Sequence, residues 1–175
     1  SAILSVQVFA IDFVVNNLLA TYQRNRILAL FNPEHDPLGA NWNTTQAKIA
    51  IGSGGLNGKG FLQGTQTNFG FVPEQATDFI FCTVGEEHGW LGTTFVIILF
   101  FALMAQLLYL AEYAKTTYAR IFGYSIVGFL FLHFGINIAM TIGWSPVIGI
   151  PLPFFSYGGS SLIAFSLMVF LQLNH

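Results

Sequence analysis

Charged side chains are nearly missing from this sequence: Asp, Glu, Lys and Arg make up 8% of its 175 residues, against about a quarter in a soluble domain. Together with 54% hydrophobic residues and a mean hydropathy of +0.63, this scarcity excludes an ordinary soluble fold and indicates a membrane protein. From position 121 to 175 there is no Asp, Glu, Lys or Arg at all, a length that accommodates two spans at about 20 residues each. Cysteine is almost absent as well. Cys82 alone excludes an internal disulfide and reads as a small buried hydrophobe rather than a nucleophile. No initiator Met and no signal-peptide n-region precede Ser1, so the sequence reads as part of a longer protein. A net charge of −2 gives no support for a nucleic-acid partner.

What is present divides into apolar runs and wet intervals. Residues 1–20 form a first expected span, in which Gln7, Asp12, Asn16 and Asn17 favour a protein-facing position. Asp12 lies one turn from Asn16, so it is either a functional acid at membrane depth or half of a hydrogen-bonded pair between helices. Residues 21–87 are expected to be a long loop outside the bilayer core, since FNPEHDPLGANWNTTQ carries two prolines, three asparagines and scattered charge. A second span is predicted over 88–111, with Trp90 and Tyr109 near its ends as interfacial aromatics. A short polar connection covers 112–120 and a third span covers 121–143, where His133 and Asn137 are one turn apart and suit an interhelical hydrogen bond. Pro146, Pro151, Pro153, Gly158 and Gly159 break 144–161 into an apolar fold-back over a cavity. A last span covers 162–175 and needs residues 158–161 to complete its length. Lys115 and Arg120 mark the short connection as cytoplasmic, which sets 21–87 and 144–161 together on the outer face.

Two stretches of the long loop carry candidate chemistry. Seven glycines lie between Gly52 and Gly70, so the backbone there turns sharply or approaches something closely. A nucleotide phosphate loop is excluded, because it requires Gly where Ser53 stands and Ser or Thr where Gly60 stands. Free backbone N–H groups with Lys48 and Lys59 suit a simpler anion such as a pyrophosphate, or the loop is merely glycine-shaped with solvated lysines. Next, PEQATDFIFCTVGEE starts with a proline fit for a first helical position, and Glu74, Asp78 and Cys82 follow at spacings of four. Two carboxylates on one face raise one pKa, and a carboxylate lifted that way is a general base. The alternative is that both are solvated charges in a first helical turn.

The runs QAKIAIGSGGLNGKGFLQGTQ, FVPEQATDFIF, GEEHGWLG, INIAM and PVIGIPLPFFSYGGSS, in that order and spacing, resemble the C-terminal part of the SEDS family (shape, elongation, division and sporulation). Lys59 with Gly64, Thr65 and Gln66 resembles the RodA branch rather than the FtsW branch. The resemblance covers most of 21–165. It implies an all-α polytopic membrane fold of about ten spans, of which this sequence supplies four. It also implies a peptidoglycan glycosyltransferase of the bacterial inner membrane that polymerises lipid II during elongation, beside a class B penicillin-binding protein that crosslinks the product. The family's invariant aspartate falls on Asp78 and the accompanying glutamate on Glu74. Ala76 stands where many relatives have histidine, so no histidine there serves as acid or base.

On that basis Asp78 is expected to take the proton from a sugar hydroxyl attacking the anomeric carbon of the growing chain, as undecaprenyl pyrophosphate leaves. Lys48, Lys59, Gln66, Arg24, the glycine-loop amides or a divalent cation (Mg or Mn) are candidates to meet that substrate and its leaving charge. Ser156, Tyr157 and Ser160 are candidates to wall the lipid-sugar cavity. Two other classes compete: a lipid II flippase or other transporter, suited by a broken segment and an intramembrane Asp12, and a scaffold that docks the transpeptidase.

Overall fold

The computed structural model describes residues 40–72 and 76–173. The expected first span, with Asp12 and Asn16, lies outside the described residues, as do Arg24 and Glu74. Among those described there is no strand. Five helices follow in order: α1 (Ala40–Gly54), α2 (Thr65–Asn68), α3 (Ile80–Glu112), α4 (Thr117–Thr141) and α5 (Gly159–Leu173). Both α3 and α4 are long and apolar enough to cross a membrane. With α5 they form a polytopic all-α membrane fold.

Besides shifts of a few residues at the ends of α4 and the short α2 in the loop, the structure differs from the sequence reading in two larger ways. The long loop holds a 15-residue helix, α1, because Gln46, Ala47, Ala50 and Gly54 recur on one buried face and lie against α3. An added Cβ at Gly54 would run into the Gly85 carbonyl, so small residues set that approach. The second difference is that α3 starts at Ile80 rather than His88, and its 33 residues span about 50 Å. A hydrocarbon core of about 30 Å takes roughly 20 of them, counted up from Leu110 to Leu91. Residues 80–90 therefore stand above it.

In lipid, apolar burial gives helices little reason to associate, and close packing with a few polar contacts holds them instead. Val96, Phe100, Met104 and Leu107 of α3 meet Ile126, Val127, Leu130 and Phe134 of α4, with the rings of Phe100 and Phe134 stacked at 4.5 Å. At the other end, Gly123 lets α4 close onto Ala111. There the Gln172 side chain of α5 donates to the Leu107 carbonyl at 2.7 Å.

Near the level of Trp90 the helical ladder of α3 is broken. Gly89 has φ 64° and ψ −158°, a backbone conformation that side chains other than glycine's tolerate poorly. The break frees two carbonyls above it and two N–H groups below, and the glycine loop takes up all four. Lys59 and Gly60 N–H donate to the Glu86 and Glu87 carbonyls, each at 3.0 Å. Trp90 and Leu91 N–H donate to the Gly55 and Leu56 carbonyls at 2.9 and 3.2 Å. The broken stretch is thus satisfied within the protein where the helix enters the hydrocarbon core, in which unpaired backbone groups find no solvent.

Replacing Gly89 by Ala forces a Cβ into Gly58 N and the Gly55 and Leu56 carbonyls, on top of a strain of about 1–3 kcal/mol. The variant is expected to lose several degrees of thermal stability in detergent. Gly128→Ala, where nothing lies within 4 Å of an added Cβ, is expected to be neutral or slightly stabilising. Equal melting temperatures for wild type and Gly89→Ala would contradict the splice.

Candidate active site

Asp78 lies in a turn over 76–79, ahead of α3, whose N-cap is Phe79. The expected helical run from Pro73 is therefore not continuous through Asp78, and a shared helical face with Glu74 does not follow. The reason is visible in the backbone. Asn137 of α4 donates its side-chain N–H groups to the Asp78 carbonyl at 2.9 Å and to the Ile150 carbonyl at 2.7 Å. Tyr157 N–H takes the Ala76 carbonyl at 2.8 Å. Carbonyls that would start a helix are bound instead to α4 and to the fold-back segment.

Asn137 is fully buried and its side chain joins two part-buried carbonyls from separate segments. It does join separate elements, but through the backbone of the turn and the fold-back. His133 turns aside, with Nδ1 3.1 Å from the Phe129 carbonyl.

The half-buried Asp78 side chain lies against Gly149, where an added Cβ would stand 3.1 Å from Oδ2. Gly149 has φ 80°, so glycine both allows the chain reversal and leaves room for the carboxylate. Six residues earlier the same segment passes Lys48 of α1, whose Nζ occupies the space that a Cβ at Gly143 would need. Lys48 is exposed and makes no ion pair among the described residues. One short segment thus runs from a cation to a carboxylate.

Beside the turn opens a cleft of about 540 Å³, lined by Ala76 and Ile80 on one side and by Ser156, Tyr157, Gly158 and Leu162 on the other. Its rim is shaped by a tight turn over Leu152–Ser156. There the buried Ser156 hydroxyl accepts the Leu152 N–H at 2.7 Å, and Phe154 takes φ 62°, unusual for a bulky residue. Ser156 is thereby occupied in holding the wall. Ser160 is exposed in the first turn of α5.

Lys59 and Gln66 belong to a second cluster, built around a carboxylate to which the sequence reading gave no role. Glu86 is fully buried. Its Oε1 accepts from Lys59 Nζ at 2.7 Å and Gln66 N at 2.9 Å, and its Oε2 accepts from Thr67 N at 2.9 Å. The lysine and the freed amides of the glycine loop, expected to bind an external anion, thus meet the chain's own carboxylate and carbonyls. Two signals pointed there: the adjacent acids Glu86 and Glu87 beside an apolar run, and Lys59 in a stretch without Asp or Glu. Cys82 is buried at the α1–α3 contact with Ala47, Ala50 and Phe79, as a small core residue. Among the described residues no group of three or more His, Cys, Asp or Glu side chains is arranged to hold a metal ion.

Glu86→Gln is expected to cost roughly 3 kcal/mol of stability, as breaking a buried pair does, and Lys59→Met at least as much, because it leaves the fully buried Glu86 carboxylate without its cation. In a double-mutant cycle followed by thermal unfolding, the two changes should fall short of additivity by about 1 kcal/mol or more. Strict additivity would mean that the two residues do not act as a pair.

Comparison with known proteins gives a consistent picture. Residues 1–174 match the family model of FtsW, RodA and SpoVE, described as cell cycle proteins. The chain is 47% identical over 146 residues to the peptidoglycan glycosyltransferase MrdB of Escherichia coli strain K12, covering 83% of this chain and 40% of that protein. It is 41% identical over 145 residues to the peptidoglycan glycosyltransferase RodA of Treponema pallidum strain Nichols, covering 83% of this chain and 34% of that protein. A solved structure, described as "Structural coordination of polymerization and crosslinking by a peptidoglycan synthase complex", superposes with a TM-score of 0.69 at 31% identity, over 97% of this chain and 47% of its counterpart. The chain spans less than half the length of these relatives.

Proposed function

This chain belongs to the FtsW, RodA and SpoVE family of cell cycle proteins, and on that premise we propose that it forms part of a peptidoglycan glycosyltransferase that polymerises lipid II during cell elongation. The protein is a multi-pass membrane protein. In this proposal it sits in the bacterial inner membrane with its active site on the extracytoplasmic face. The observation that carries the reading is the pinned turn: Asn137 and the fold-back segment fix the backbone around Asp78, Ala76 of the same turn lines a cleft of about 540 Å³, and the Asp78 carboxylate lies against Gly149, outside that lining.

In the mechanism, Asp78 accepts the proton of a sugar hydroxyl on one lipid-linked disaccharide. The hydroxyl oxygen forms a bond to the anomeric carbon of the growing chain, and the bond from that carbon to the undecaprenyl pyrophosphate oxygen breaks. A single carboxylate acting as base is enough, because pyrophosphate leaves with little need of protonation. Lys59 and the glycine-loop amides are engaged by the chain's own groups. The leaving charge is therefore assigned to Lys48, to Arg24 or to a divalent cation (Mg or Mn), with Glu74 as a further carboxylate of the site. Ser160 and Tyr157 flank the cleft where the substrate would enter. A transpeptidase of the class B penicillin-binding protein type completes the proposed assembly, in keeping with the polymerisation and crosslinking named for the related complex. A flippase is less favoured, because the apolar stretches of α3 and α4 carry no Asp, Glu, Lys or Arg at their middles.

In the full-length protein, Asp78→Asn is expected to abolish glycan chain formation from lipid II, at normal expression and melting temperature. Polymerisation at wild-type rates would exclude the base. Lys48→Ala is expected to lower turnover on the order of 10²-fold, the typical loss of one stabilising donor, without changing the melting temperature. Lys59→Ala should do the reverse, reducing stability more than the turnover of what remains folded.

A further inference from the structure

The backbone splice at Gly89 has a second consequence, independent of the glycosyltransferase reading. Leu91 and Trp90 stand at the boundary of the hydrocarbon core, on the count of about 20 residues up from Leu110. Their N–H groups bind the carbonyls of Leu56 and Gly55. The tip of the glycine loop is therefore held at the height where the span enters its headgroup layer.

Leu56 stands at that height, and Phe61 and Leu62 follow just above it, with the Phe61 ring 6.4 Å from that of His88; these side chains are apolar and unusually open. Leu56 is 70%, Phe61 71% and Leu62 64% exposed, and on the helix Trp90 is 61% and Leu91 58% exposed. Leu62 adopts φ 59°, a left-handed conformation disfavoured for a branched apolar residue. Soluble surfaces rarely gather such a patch without a partner. The loop is also suited to an anionic headgroup layer, since no Asp or Glu occurs between positions 37 and 73. Its Lys59 charge is already paired with Glu86.

We propose that the loop tip is a membrane-dipping element, with Leu56, Phe61 and Leu62 inserted beside Trp90 and Leu91 into the headgroup–acyl boundary of the adjoining leaflet. The occupant of this surface is lipid. Continuity with the α3 span argues for it, because the exposed strip of α3 runs on from Leu91 through Phe95 and Ile98 to positions that the bilayer core reaches. Interfacial segments bind in this way, with aromatic and leucine side chains at the boundary and the polar backbone satisfied within the protein. The glycine loop would thereby anchor the broken end of α3 from outside as well as from within.

The test uses the full-length protein in lipid bilayers, with a nitroxide label at Phe61→Cys and, separately, at Leu62→Cys. Collisional access is measured to oxygen, which concentrates in the bilayer, and to a water-soluble nickel chelate. Native Cys82 is buried and does not compete for label. Both sites are expected to favour oxygen over the chelate several-fold. A chelate-dominated signal would put the tip in water and overturn the proposal. Low access to both reagents would mean that protein covers the patch, and would overturn it equally. If either variant fails to fold, Leu56→Cys provides the same readout.

Discussion

Four backbone hydrogen bonds between a glycine loop and a broken helix hold this structure together. A helix that enters a bilayer satisfies its own donors and acceptors, and one that breaks near the surface leaves groups that lipid does not solvate. At Gly89 the break leaves the carbonyls of residues 86 and 87 and the amides of residues 90 and 91, and residues 55–60 take them all. Glu86 then fixes the loop from the side, by gathering Lys59 and the amides that open α2. The polar chemistry at this height is directed inward, and apolar side chains face out.

With the top of α3 fixed, the turn that precedes it becomes a rigid platform. Asn137 reaches across from α4 to tie the Asp78 backbone to that of Ile150, and Tyr157 ties Ala76. Proline and glycine in the fold-back keep it from forming a helix, so its backbone groups remain available for these contacts. Asp78 is thereby held against Gly149, and Ala76 of the same turn lines the cleft. In the proposed reaction this rigidity matters because a general base has to meet its proton within hydrogen-bond reach.

The sequence revealed some of this more readily than the rest. The apolar middles of α3 and α4 are legible because length and the lack of charge report spans directly. The fold-back was visible through Pro146, Pro151 and Pro153. Asp78 stood out as an acid at the edge of an apolar run. The helical register assigned to it from Pro73 does not hold, because tertiary hydrogen bonds from Asn137 and Tyr157 take the carbonyls that local propensity would have used. Helix α1 was hidden by its glycines, which look like loop residues until Gly54 is seen against Gly85. The glycine loop itself was the least legible element. Its freed amides resembled an anion site, and only the positive φ of Gly89, thirty residues away, shows which acceptors they serve.

The most direct test of this account is amide hydrogen exchange of the full-length protein in a bilayer, read at Lys59, Gly60, Trp90 and Leu91. If the loop and the broken helix are spliced, these four amides exchange as slowly as those in the middle of α3, although two of them lie in a glycine-rich loop. Exchange of Lys59 and Gly60 at the rate of an open loop would show that the splice does not form, and the fixed platform under Asp78 would go with it.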